Sequence, residues 1–413
     1  MALVNKDFIT PAEASGIVLG AYQGVTTNLP FASILPDMDN PTGLSLSWTP
    51  NQPRFEIGEM EFSAYDAEAP YDETKGGGKR SYTEMLPLRK RHRVSEEDIM
   101  KGVASPAFTV DAENNVVATQ SAADNLREAF VRLGKELAFT VDRYRAEAAV
   151  NGKIEPKPGS NNDVGWDYGR DASLTVSLSA TKTWDKQGDP VVDIRNWTDA
   201  IDDNDGDLPT ILVTTRKVWR AMTANKNLIK YFYSTTAADN LPSLLRDDEL
   251  TKVLTTMTDI RDVVIIDELY RNYARQQGIE LPGKVKSFFP EDTVLLLPAL
   301  GDTSMGYTAF GPTAQAREKA VYGITRTYDA GPVGVVLDSA GSNPGYEALI
   351  NATALPVVIK SNSTFKATVT SSTASSTTDA TVTSSTASST ASSTTDATAS
   401  STTDATAGSG SKK

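Results

Sequence analysis

At 413 residues the chain is long for one compact domain, and its length fits two or three. Its 53 acidic and 40 basic side chains leave a formal charge of −13, which argues against a dedicated nucleic-acid binder, because neutralising phosphates takes a cationic face. It has no cysteine, so disulfides, zinc–cysteine sites, iron–sulfur clusters and thiol nucleophiles are excluded, and its single histidine, His92, cannot build a His-only metal cluster. No apolar run approaches the roughly 18 residues that span a bilayer. Residues 1–20 lack the basic head, apolar run and cleavage site of a secretory leader. Neither a membrane span nor a leader is expected.

Residues 1–50 are rich in Pro, Gly and Asn, with only short apolar patches at 17–19 and 31–35. They read as an arm that lies along another surface. Residues 53–63 then alternate. Phe55 and Ile57 share one side, and Met60 and Phe62 resume one register out after Gly58, which reads as a strand with a bulge at the glycine. Residues 82–94 give a second extended run. The polar stretch 66–79, ending in Gly76-Gly77-Gly78, lies between them. The simplest construction is a long two-stranded hairpin with a flexible tip. An isolated hairpin is marginal in water, so this one is expected to rest on a neighbour.

The clearest element spans 121–151. Leu126, Phe130, Leu133, Leu137, Val141, Tyr144 and Ala148 recur three or four apart, which predicts one helix with a single stripe facing a core. Ser121 with Asp124 resembles a capping box, and Asn151-Gly152 ends the helix. Thirty residues at 1.5 Å each give a rod of roughly 45 Å, long enough for a spine. Beyond it, 174–178 alternates as a strand. Asp189-Pro190 opens a helix around 194–201, 210–214 reads as a strand, and 215–230 and 246–258 read as helices. Residues 263–266 and 293–297 read as buried strands. Interleaved strands and helices make 160–300 an α/β region. Two more strands, 333–337 and 355–359, return to a sheet.

From 367 to 407 the chain is almost wholly Ser, Thr and Ala. The octapeptide Ala-Ser-Ser-Thr-Thr-Asp-Ala-Thr occurs at 374–381, 391–398 and 399–406. Such a tract has no large apolar side chains to offset the entropy of ordering, so a disordered tail is expected, either unmodified or carrying O-linked sugars.

The candidate chemical sites do not hold together. An EF-hand frame placing Gly206 sixth would start at Ile201 and put Leu212 where a bidentate Glu belongs, so the acidic run 202–207 reads as a solvated loop. Gly76-Gly77-Gly78-Lys79-Arg80 lacks the Gly-x-x-x-x-Gly-Lys-Ser/Thr phosphate loop. His92 lies within the run Arg89-Lys90-Arg91-His92-Arg93 and makes a poor triad base. That run is the only dense basic cluster. It reads as a partner for carboxylates of a neighbouring copy, with nucleic acid as the alternative. No catalytic residue, metal or cofactor is expected.

A spine helix, a projecting hairpin, a loose arm and no chemistry point to a self-assembling subunit. From about Pro30 to Lys366 the chain resembles the phage major capsid proteins of the lambda gpE type, which have the HK97 fold. The resemblance rests on stretches in order. The first is Asp167-Tyr168-Gly169-Arg170, then 174–178, Trp184 and Asp189-Pro190-Val191-Val192-Asp193. Next come Thr214-Thr215-Arg216-Lys217-Val218-Trp219 with Asn225 and Asn227-Leu228-Ile229. Then follow Ile265-Ile266-Asp267-Glu268-Leu269-Tyr270, the run 288–298 and the glycine-bearing stretch 301–313. The Ser/Thr tail lies outside that pattern.

The resemblance implies an α+β, HK97-like capsid fold. It has an N-arm (1–50), an E-loop hairpin (51–93) over the adjacent subunit, and a P-domain with the spine helix (94–179 and 301–366). An A-domain (180–300) and the tail (367–413) complete it. The implied function is that of a major capsid protein. Pentamers and hexamers form the icosahedral head shell around packaged double-stranded DNA, assembled in the host cytoplasm. A scaffolding protein, a portal and a decoration protein are the implied partners, and no membrane is involved. The negative charge fits, because a container that bound DNA tightly would impede packing and ejection. Lys75, Lys79, Arg80, Arg89, Lys90, Arg91 and Arg93 are the candidates for inter-subunit contact. In the wider fold class some members crosslink a Lys to an Asn. Lys75 and Lys79 are the candidates for that, although gpE-like chains are not expected to crosslink. Encapsulin shells share the fold and stand as the alternative, and the tail alone motivates a secreted adhesin. A hydrolase lacks a nucleophile–base pair.

Overall fold

The structure, a computed structural model, describes residues 4–6, 9–40, 43–51, 80–94, 108–110, 116–118, 122–155, 164–233, 242–277, 289–298, 305–326, 329–338 and 345–371. Helix α1 (Pro11–Thr26) precedes β1 (Asp37–Asp39), β2 (Ser45–Trp48), β3 (Ser81–Glu84) and β4 (Pro87–Val94). The pair β5 (Phe108–Val110) and β6 (Val116–Ala118) leads to the spine helix α2 (Ala122–Asn151). Then come β7 (Lys153–Ile154), β8 (Trp166–Asp167), β9 (Thr175–Ser177), α3 (Pro190–Asp203), β10 (Ile211–Thr214), α4 (Arg216–Thr223), α5 (Lys226–Tyr233) and α6 (Asp247–Met257). The chain continues through β11 (Asp262–Ile265), α7 (Ile266–Gln277), β12 (Thr293–Leu297), β13 (Gly306–Gly311), β14 (Val333–Asp338), β15 (Tyr346–Val358) and β16 (Phe365–Thr368).

Two five-stranded sheets organise residues 1–372. The first has the order β1-β13-β15-β14, with β4 also paired to β15. The second has the order β11-β10-β12-β16-β9. Its central strands are apolar on both faces because both faces are covered. Ile211, Val213, Leu295 and Leu297 join the core shared with α1, α2 and the first sheet. Their alternates Leu212, Val294 and Leu296 join a second core under α3 to α6. There Trp184, Trp197 and Phe365 stack with ring centroids 5.6 and 5.1 Å apart. Each fully buried side chain of this kind contributes roughly 1.5–3 kcal/mol.

The 30-residue helix, β10 and β12 sit where the sequence places them. The single-stripe reading of α2 holds only for its first half. From Ala138 onward Phe139, Asp142, Arg145, Ala146 and Ala149 are buried as well, because α1 and α7 cover the far side. The stretch 215–230 breaks at Ala224-Asn225 into two helices. Asn225 causes the break, since its Oδ1 accepts the amide of Asn227 at 2.9 Å and restarts the helix.

Residues 11–26 correct the expectation of a loose arm. They form a helix within the chain's own core, capped by Thr10, whose Oγ1 accepts the amide of Glu13 at 3.2 Å. Proline stands at the first position, and Ala14, Val18, Tyr22 and Val25 are buried four, four and three apart. Gly16, Gly20 and Gly24 lower helix propensity and mask that period. The spine helix accepts α1 because Gly134 has no side chain. A Cβ there would lie 2.8 Å from both the Cβ of Ala21 and the carbonyl of Val18.

The run 82–94 is also divided. Strand β3 pairs with β2, and β4 pairs with residues 346–353 of β15, so β4 belongs to the first sheet rather than to a free-standing hairpin. The expected strand 53–63, the tip with Lys75 and Lys79, the cap residue Ser121 and residues 372–413 of the tail lie outside the described residues. Residues 367–371 correct the expected start of the tail, because Ala367 and Thr368 pair in β16 and Ala367 and Val369 are buried in the second core.

Candidate assembly surface

The basic run lies on β4, and period-two alternation sorts its side chains onto two faces. On one face Arg89 Nε donates to Asn351 Oδ1 at 3.2 Å, and Arg91 pairs with Glu347 at 3.3 Å. Both acceptors stand on β15, Asn351 directly opposite Arg89. Asn351 is held in turn by donating to Gln315 at 2.6 Å. Arg93 stands opposite Glu347 and is exposed.

On the other face Lys90 reaches the spine helix and pairs with Glu136 at 2.7 Å, while Arg132 pairs with the same carboxylate group at 3.3 Å. Strand and helix here form the walls of an open groove of about 710 Å³. Leu88, Leu133, Leu137 and Ile350 contribute apolar lining, and Arg89, Lys90, Arg132 and Lys135 supply cations. Val131, 37% exposed, also lines it. A smaller hollow continues along the same edge past His92, Arg93, Asn125, Glu128 and Arg132. Lys90 and Arg91 keep 62% of their side-chain surface in solvent despite their partners. Exposed pairs of this kind hold little energy, about 0–1 kcal/mol each, so the cations are available for exchange with other carboxylates.

Arg80 stands apart from this strand. It donates to Ser47 Oγ at 2.9 Å and lies 5.5 Å from the ring centre of Tyr82. The candidates therefore fall in two places: Arg80 on the β2–β3 pair, and Arg89, Lys90, Arg91 and Arg93 on the first sheet.

The other acidic and polar motifs have structural partners. Asp207 pairs with Lys360 at 2.6 Å, and its amide donates to Ser363 Oγ at 2.9 Å, so the 202–207 loop fastens the turn between β15 and β16. Among the described residues no group of His, Asp and Glu gathers around a metal position, and no helix is long and apolar enough to cross a membrane. Sequence reading missed the groove itself. Its signal was present as alternation within 87–94, but its second wall comes from α2, about forty residues on.

No curated protein matches the chain. The family model described as phage major capsid protein E matches residues 61–369. Among solved structures, a protein of an Escherichia coli CFT073 prophage assigned as a capsid protein is 13% identical, covering 89% of this chain and 99% of that one, with a TM-score of 0.50. A phage-related protein of Bordetella bronchiseptica RB50 is also 13% identical, covering 89% and 97%, with a TM-score of 0.45. At that identity the first likeness shows fold alone, the HK97-like capsid fold. With the family model matched across well over half of its length, the chain belongs to the phage major capsid protein E family and is a shell subunit of a phage virion.

Proposed function

We propose that the chain assembles as pentamers and hexamers into the icosahedral head shell of a tailed bacteriophage, enclosing packaged double-stranded DNA. The observation that carries this reading is the match to the capsid protein family over 61–369. Assembly takes place in the host cytoplasm with a separate scaffolding protein and a portal, and a decoration protein is a further partner. In this reading the N-arm and the E-loop are confined to the parts of 1–50 and 51–93 outside α1 and β4, which belong to the body of the subunit. Residues 94–179 and 301–366 make the P-domain, and 180–300 the A-domain that meets its copies around the shell axes. Catalysis has no part in this role.

The groove between β4 and the spine helix, with Arg89, Lys90, Arg91 and Arg93, is the contact for a neighbouring copy. Charge complementarity supports this. The stretch 56–73 of the same sequence carries Glu56, Glu59, Glu61, Asp66, Glu68, Asp72 and Glu73 and no basic residue, and it matches a cationic, partly apolar groove. Arg80, Lys75 and Lys79 complete the contact set. Negative-stain electron microscopy of the purified chain, alone and co-expressed with the scaffolding protein, tests the proposal. Closed shells or rings of five and six subunits are the expected result, and dispersed monomers under both conditions would overturn it.

A further inference from the structure

Two charged groups at the centre of the subunit take no part in the assembly surface. Asp142 and Arg145 stand one turn apart on the spine helix, and both are fully buried. Their nearest charged atoms are 3.9 Å apart. Elements from across the fold converge on them. From α7, Tyr270 donates its hydroxyl to Asp142. The amides of Phe31 and Ala32 also face that carboxylate. Arg145 donates through Nε to Thr308 Oγ1 on β13 at 2.8 Å, and through Nη2 to Asp37 on β1 and to the Tyr22 hydroxyl on α1 at 3.3 Å. Tyr22 donates to Asp37 at 3.1 Å, and Asp39 lies near enough to Asp37 to oppose its charge. Asp142 Oδ1 and Arg145 Nη1 face each other across the 3.9 Å gap, beyond hydrogen-bond distance.

Helix α7 touches the spine through two tyrosines. Tyr270 meets Asp142, and Tyr273 lies edge-on to Phe139 with centroids 5.9 Å apart. Because α7 follows β11 without an intervening residue, it is joined directly to the second sheet. We propose that Asp142, held between Arg145 and Tyr270, is a proton-operated latch that sets how tightly the second sheet is held against the spine helix.

The chemistry of the site gives the sign. Burial pushes the Asp142 carboxyl up to about 6, against the pull of Arg145, the Tyr270 hydroxyl and the two amides, all of which favour the charge. Burial also raises Asp37, with the same sign, from its part-exposed place on β1. Tyr22 and Tyr270 are raised by burial and stay protonated near neutrality, and Arg145 stays charged. A carboxyl whose pKa is higher closed than open favours closure most below about pH 4 and loses that contribution as pH rises through about 6. Above that, a dry carboxylate is relieved when α7 parts from the spine and water enters. Between pH 5 and 7.5 the linkage amounts to about a tenfold increase in opening.

The latch belongs to the single subunit and stands whether or not shells form. Hydrogen exchange of the full chain, unassembled and corrected for intrinsic rates, tests it in peptides covering 266–277 and 139–145. The wild type is expected to open about tenfold more at pH 7.5 than at pH 5. Asp142→Asn is expected to abolish that dependence in the 266–277 peptide, because Asp37 faces Arg145 and Tyr22 rather than α7. Tyr270→Phe keeps the ring but removes a donor that favours the carboxylate, so its midpoint should move to higher pH. A flat wild-type profile, an unchanged profile in Asp142→Asn, or a downward midpoint in Tyr270→Phe would each overturn the latch. Should Asp142→Asn not fold, the wild-type profile and the Tyr270→Phe shift decide alone.

Discussion

Replacing Gly134 with alanine sets two physical effects against each other at one atom. On an isolated helix the change stabilises by about 1 kcal/mol, because glycine is the poorer helix former. In this fold the added Cβ would stand 2.8 Å from both the Cβ of Ala21 and the carbonyl of Val18. Ordinary contact lies near 3.5–4.0 Å, so α1 would have to retreat by about 1 Å. That would draw Val18 and Tyr22 out of their sites. Overpacking of this kind costs about 1–3 kcal/mol, so the net expectation is a loss of about 1 kcal/mol. The control lies on the other helix. Gly16, Gly20 and Gly24 on α1 would meet nothing within 4 Å, so Gly20→Ala should gain up to about 1 kcal/mol. Urea unfolding of unassembled subunits, followed by far-ultraviolet circular dichroism, measures both. Identical substitutions in touching helices should shift the midpoint in opposite directions. If Gly134→Ala stabilises as much as Gly20→Ala, α1 does not seat on the spine as described.

Two further changes probe the second core and the assembly surface. Asn225 is buried and donates to the carbonyls of Trp184 and Gly188, both at 2.9 Å. Asn225→Ala strands two buried acceptors and should cost about 2–3 kcal/mol. Asn225→Asp keeps the shape, loses the donors and should cost as much, whereas a neutral result for either in the same urea assay would remove this asparagine from the core's support. Reversing Lys90, Arg91 and Arg93 to Glu removes two exposed ion pairs and opposes Glu136 and Glu347, so it should cost the subunit about 2 kcal/mol and leave it folded, while abolishing the light-scattering rise of shell formation. Full assembly of that variant would show that the strand is not a contact.

Periodicity made some elements legible and hid others. The spine helix is plain because its apolar residues keep a three–four spacing for thirty residues. Strands β10 and β12 are plain because a strand covered on both faces reads as an unbroken apolar run. Helix α1 carries the same three–four spacing, but its glycines resemble loop composition. Helix α7 has Asp267 and Glu268 in its first turn and Ile266, Tyr270 and Tyr273 buried four and three apart. It was hidden because no turn residue separates it from the strand ending at Ile265. Of the candidate contacts, the alternation of β4 was readable, but Glu136 as the partner of Lys90 was not, since only the tertiary fold joins them. Asp142 and Arg145 fall on what a single-stripe helix assigns to solvent. No local signal reveals that α1, β1 and α7 close over that side.

Chemistry divides the ties between the two sheets into a fixed kind and an adjustable kind. The chain crosses from β15 to β16 through the 361–363 turn. There Ser361 donates to the carbonyl of Tyr168 at 2.8 Å, and Asn51 accepts the amide of Asn362 at 2.9 Å and donates to the carbonyl of Gly169 at 2.7 Å. Asn362 accepts the amide of Asp171 at 3.0 Å. Asn51 holds a left-handed backbone, φ 44°, a conformation asparagine tolerates better than most residues, which aims its amide at both sides of the crossing. These bonds join amides, hydroxyls and carbonyls, none of which changes charge near neutral pH. The second tie is Tyr270 on Asp142, where the acceptor gains or loses a proton within the physiological range. One end of the joint is therefore pinned by groups indifferent to solution conditions, and the other rests on a carboxyl that responds to them. Substitutions at Asn51 should loosen the joint equally at every pH, while those at Asp142 should also change how its opening depends on pH.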